Sequence, residues 1–190
     1  MCSSNLQPPS AVLSDDECQR LVRVYREVND KVIELWGECD IALGNMASWD
    51  KDMAPYYLGQ GKCLEVSGSG IKLPNGLSIS YPNLRWDTSE SKGKYVYKSR
   101  RGEVSIWGGS VVENVVQALA RIVVGEQMLK INERYRPVLT VHDAVVCVVP
   151  KEEADEAQKF IMDIMSTPPS WATDIPIACE SKYGESYGDC

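Results

Sequence analysis

The stretch that most constrains this chain is 138–150, Val-Leu-Thr-Val-His142-Asp143-Ala144-Val-Val-Cys-Val-Val-Pro. Two runs rich in β-branched residues, 138–141 and 145–149, flank a short polar interruption, which is the sequence form of a β-hairpin. The apex then presents His142 and Asp143. Both strands are apolar on both faces, so the hairpin is expected to be buried in a sheet covered by helices. A carboxylate at the tip of so rigid a support suits a metal ion. Equally, Asp is an ordinary turn residue whose side chain bonds nearby amides, and a lone His beside it can be structural. Two residues do not separate these readings.

The 190 residues, 44% of them hydrophobic, fit one domain with a real core. No run of 18 apolar residues is present, and the first residues lack the basic and apolar regions of a secretory signal, so neither a membrane span nor export is expected. Seven single cysteines with no Cys-x-x-Cys pair argue against a disulfide framework or a structural zinc site and for a reducing compartment, with the cytoplasm as the expected location. A net charge of −7 disfavours indiscriminate nucleic-acid binding, so any such contact needs a local cationic patch.

Taken in order, 1–12 reads as an irregular lead-in with Pro8 and Pro9. Ser14 is a candidate N-cap with Asp15, Asp16 and Glu17 behind it, and Leu21, Val24, Tyr25, Val28, Val32, Leu35 and Trp36 recur at threes and fours. These predict one long amphipathic helix within 13–47, its end marked by Gly37 or Gly44. Between 49 and 70 glycines break the pattern and no element is assigned. Residues 71–107 read as an antiparallel β-meander with strands near 77–81, 95–97 and 104–107. Within it Lys92, Lys94, Lys98, Arg100 and Arg101 are interleaved with Tyr95 and Tyr97. That mixture suits a nucleic-acid backbone, although cations are also ordinary protectors of an edge strand.

Gly108-Gly109 separates the meander from a largely buried helix over 111–132. On it Glu113, Gln117 and Arg121 share one face at spacings of four, directed at water or at a ligand. A helix over 151–167 stops at Thr167-Pro-Pro-Ser, and a last strand from 175 leads into a polar tail ending at 190. The fold class is α+β, an antiparallel sheet with a meander and a central hairpin packed against long helices.

The combination of Glu113-Asn114-Val-Val-Gln117-Ala on a helix, Val141-His142-Asp143 at a hairpin turn, an amphipathic helix and a Tyr-Gly-Asp ending resembles the C-terminal palm portion of family A DNA polymerases, phage ones in particular. The likeness covers most of 13–190. It implies that Asp143 is one of two carboxylates holding two Mg2+ ions, that His142 lies by the primer terminus, and that Gln117 contacts the minor groove there. Minor-groove acceptors are shared among correct pairs, so such a contact checks geometry without reading sequence. Ala144 departs from the family, which usually has Glu there.

Larger departures are the absence of the family's other catalytic Asp, in Asp-x-Ser-x-x-Glu, and of its nucleotide-binding helix; the chain is expected to begin just after the fingers. Two-metal phosphoryl transfer needs carboxylates from two places and cations on the triphosphate. The resemblance therefore implies one piece of a split or truncated DNA polymerase, acting on primer-template DNA and dNTP with an upstream polypeptide. Arg121, Lys98, Arg100 and Arg101 are further candidates for DNA contact. Two alternatives are a non-catalytic remnant or DNA-binding accessory module, and a metal-dependent hydrolase built on His142 and Asp143, which lacks further histidines.

Overall fold

The computed structural model describes residues 13–59, 61–89 and 91–189; the expected lead-in over 1–12 lies outside the described residues. The Ser14 hydroxyl accepts the Glu17 N–H, and the Glu17 carboxylate in return accepts the Ser14 N–H, closing a capping box on α1, Asp15–Val28. The expected single helix is two. Asn29, at φ −113° and ψ 47°, leaves helical geometry between α1 and α2, Asp30–Ala47. Its side-chain amide donates to the Tyr25 carbonyl at 2.8 Å, a local bond of the kind through which Asn competes with the helix backbone. Tyr25 and Trp36 would stand about 16 Å apart along a straight helix. Their rings stack at 6.4 Å, so the pair bends at Asn29.

The unassigned stretch holds three strands, β1 (Tyr56–Leu58), β2 (Leu64–Ser67) and β3 (Gly70–Lys72). They were illegible because they are short and joined by glycine turns; Gly70 sits at φ 128° with the Ile79 carbonyl where a Cβ would go. Together with β4 (Ser78–Ile79) they form a four-stranded antiparallel sheet in the order β1-β2-β3-β4. Residues 71–107 are therefore not one meander. Their second half is a separate sheet, β5 (Arg85–Asp87), β6 (Lys94–Ser99) and β7 (Gly102–Ile106). Pro82, with no N–H to donate, and Asn83, at φ 56°, break the ladder between the two.

The glycine pair before the next helix opens it: α3 runs Gly108–Ile131. A Cβ on Gly108 would overlap the Trp36 carbonyl oxygen, and the Gly108 N–H donates to Asp40 Oδ1 at 2.6 Å. This glycine thus lets α3 dock against α2, with a carboxylate at the positive end of the helix. The main core joins Cys39, Ala42, Leu43 and Met46 of α2 with Val111, Val115 and Ile122 of α3 and with Leu64, Val66 and Ile71 of the first sheet.

A second core forms around Ile131, Tyr135 and Ala157. It joins the end of α3 to α4 (Ala154–Met165), which is preceded by one 3-10 turn, and to the hairpin β8 (Pro137–Val141) and β9 (Ala144–Cys147). Buried Gln127 crosses between the helices and donates to the Met165 carbonyl at 2.9 Å, satisfying an otherwise orphaned group at the end of α4. The strand expected from 175 is absent: 175–184 carries no strand among the described residues, and Ile175 is exposed. The proline at 176 and the lack of a partner edge account for that.

Candidate functional site

The hairpin forms where expected, but not with the expected surroundings. It is a two-stranded sheet of its own, covered on one face only. Cross-strand pairing of Thr140 with Val145 and of Val141 with Ala144 sets the alternation. Val145, Cys147 and Val149 pack inward on the second core, and burial raises the Cys147 thiol pKa. Leu139 and Val141 stay exposed on the other face. Two apolar faces in sequence had suggested two covers; the described chain supplies one.

Below the covered face lies a firm base. Tyr135 meets Phe160 edge-on at 5.8 Å and donates its hydroxyl proton to Glu153 at 3.1 Å. The Arg134 guanidinium lies over both rings, 5.0 and 5.6 Å from their centroids, and bonds Glu156 at 2.6 Å. At the far end His142 and Asp143 form the two-residue turn and are exposed. Neither side chain has a hydrogen-bond or ion-pair partner among the described residues, so Asp143 does not serve as the turn's own cap. Of the two, only His142 has positive φ, 55°, the sign pattern of a type II′ turn, whose first position ordinarily falls to glycine. A strained, unpartnered residue at an exposed tip is the kind of outlier that accompanies functional sites.

Gln117 and Arg121 lie with Glu113 on the solvent side of α3, so this helix is not buried all round. Gln117 Nε2 donates to Glu113 Oε1 at 3.2 Å, and Val116, 56% exposed, stands beside them. The intervening Asn114 turns the other way and donates to the Tyr81 hydroxyl at 3.2 Å, tying α3 to the strand layer; burial raises the Tyr81 pKa, with that bond opposing.

Arg100 and Arg101 occupy the tip of the β6–β7 turn, closed by Ser99, whose hydroxyl accepts the Arg101 N–H at 3.1 Å and donates to the Gly102 carbonyl at 2.8 Å. Both arginines are exposed, as is Lys98. Lys98 faces Glu103 across the strands, but that carboxylate bonds Arg85 at 2.7 Å, which lowers its pKa. Arg100 and Arg101 therefore remain available to an outside anion, with Lys98, which the Glu103 carboxylate also attracts, exposed beside them.

These groups hang on three separate elements, and no hydrogen bond or ion pair joins the hairpin tip, the α3 stripe and the β6–β7 tip to one another among the described residues. Nor do three His, Cys, Asp or Glu side chains converge anywhere among the described residues. A magnesium shell is commonly built from one or two carboxylates, with waters and phosphates filling the remaining positions. Asp143 fits as one such ligand, and no second carboxylate converges with it among the described residues. Sequence reasoning also missed a cavity of about 280 Å³ between 68–70 and 80–84, lined by Met46, Ser69, Tyr81 and Asn83; its 68–70 side lies in the stretch whose short strands were illegible. No described helix is long and apolar enough to cross a membrane.

Across 92% of its length the chain is 30% identical to a protein of Bacillus phage SP02 described as a DNA polymerase. It spans 28% of that relative's length. No family model matches the chain, and no solved structure matches it. The relationship is thus to a DNA polymerase, and it extends through nearly all the elements described above.

Proposed function

We propose that this chain is the C-terminal part of a family A type DNA polymerase, a palm portion that presents Asp143 as one magnesium ligand and holds the primer end for template-directed nucleotidyl transfer in a phage-infected host's cytoplasm. The observation that carries the reading is the similarity to a phage DNA polymerase across 92% of the chain. The exposed, unpartnered Asp143 supports it, because both of its oxygens are open to an ion.

Within this reading each element has a task. The aromatic base under the hairpin fixes the tip, which a positioned ligand requires. His142 stands beside Asp143 at the primer terminus. Gln117 and Arg121 face the duplex, Gln117 offering an amide donor to minor-groove acceptors. Lys98, Arg100 and Arg101 meet the phosphate backbone as charges without sequence preference. When bound, magnesium would supply charge neutralisation on the phosphate oxygens. The second carboxylate and the cations for dNTP belong to an upstream polypeptide, in trans if the enzyme is split.

The test is primer extension on a primed template with magnesium, by the chain alone and after adding that upstream polypeptide. Extension in the mixture only, reduced more than a thousandfold by Asp143→Ala, is the expected result. Full extension by the Asp143→Ala mixture would instead identify the chain as a non-catalytic remnant or accessory module.

A further inference from the structure

Among the described helices α1 has the most sharply segregated apolar face, and it buries no residue of it. The stripe follows a heptad pattern: Cys18, Leu21, Tyr25 and Val28 in α1, then Val32, Leu35, Cys39, Ala42 and Met46 in α2, at alternating threes and fours. Its burial is graded. Cys39, Ala42 and Met46 lie in the core, and Val32 and Leu35 are half-buried. Leu21, Tyr25 and Val28 are 46, 49 and 75% exposed.

The cause is where α3 begins. Its first residue, Gly108, backs onto Trp36 and bonds Asp40, and α3 then helps bury the α2 residues from Cys39 onward. The α1 half of the stripe is left without a cover among the described residues. A helix of fourteen residues is marginal in water unless its apolar face is packed.

We infer that α1 is the docking helix for the polypeptide that completes the polymerase, its apolar face seated on Leu21, Tyr25 and Val28. This rests on the reading above, that the chain is one part of such an enzyme. One observation selects this occupant. The matched segment is 28% of the phage relative, so most of that polymerase's chain is left to furnish the cover. Docking there is also mechanically connected to α3. Tyr25 stacks on Trp36, and Trp36 meets Trp107, the residue capping α3, edge-on at 5.2 Å. Large aromatic side chains of this kind are the usual anchors of an interface.

The experiment is titration calorimetry of this chain against a polypeptide comprising the part of the SP02 relative that lies outside the matched segment, with sedimentation of each alone. A one-to-one complex is expected, weakened at least tenfold by Leu21→Gln combined with Val28→Gln and unchanged by Asp143→Ala. Val22→Glu combined with Val24→Glu, at exposed positions beside the stripe, should weaken it likewise, and this pair carries the test if the first pair disturbs folding by circular dichroism. No complex, a complex indifferent to both pairs, or self-association of this chain through the same residues would each overturn the proposal. Primer extension on the same mixtures separates the two levels. Extension that persists in both variant pairs sinks the docking surface alone, whereas a complex of the stated sensitivity without extension sinks the polymerase reading alone.

Discussion

Replacing His142 by glycine removes a Cβ held at φ 55° in the two-residue turn between β8 and β9. For a residue with a side chain, left-handed backbone geometry costs about 1–2 kcal/mol. Glycine avoids that but loses more freedom on folding, at about 0.5–1 kcal/mol. The imidazole is exposed and has no partner among the described residues, so its removal forfeits no native bond. The net expectation is a gain of about 0.5–1 kcal/mol, or about +1 to +4 °C in Tm for a chain of this size. Urea unfolding monitored by tryptophan fluorescence, with scanning calorimetry, measures it. Asp143→Ala serves as the companion and should stay within about 0.5 kcal/mol of the parent, as an unpartnered surface carboxylate would. In the complete polymerase both variants should lose primer extension. A loss of stability above about 0.5 kcal/mol in His142→Gly would refute the reasoning, since it would mean that the side chain holds the turn together.

Gly108→Ala should cost about 2–4 kcal/mol by urea titration, because its Cβ would overlap the Trp36 carbonyl, a backbone atom with little room to yield. Gln127→Met keeps the volume but removes the donor to the Met165 carbonyl, and should cost about 1–3 kcal/mol with α4 losing amide-exchange protection first. Burial, with Glu38 and Asp40 adding to it, pushes the Cys39 thiol up to about 11 from an ordinary value of 9.0. Between those values the unfolded chain has lost a proton that the folded one keeps, so stability is full below pH 9 and falls by about 2–3 kcal/mol as pH rises through 11. Cys39→Ala should flatten that alkaline limb in unfolding measured from pH 8 to 11. Replacing Arg100 and Arg101 together by Ala should lower the slope of log affinity against log salt for duplex DNA by about 2 in a fluorescence-anisotropy titration on the assembled enzyme. An unchanged slope would return these arginines to the role of edge protection.

Local sequence determined much about this protein. The capping box at Ser14, the hairpin with His142 and Asp143 at its apex, and the apolar periodicity of α3 and α4 are legible because each depends on contacts within a few residues. So is the exposure of Arg100 and Arg101 at a turn. Where the answer depended on a distant partner, the sequence was silent or misleading. Apolar residues on both faces of β8 and β9 spoke for two covers, yet whether a cover is present depends on other segments, and among the described residues only Ile131, Tyr135 and Ala157 and their neighbours supply one. Seven short strands over 56–106 divide into two sheets by pairing across glycine and proline breaks, a choice that no window of sequence contains. The heptad of α1 and α2 looks uniform when read along the chain. Only the close approach of Gly108 to Trp36 fixes where α3 begins, and with it which half of that stripe is core and which half is left facing outward.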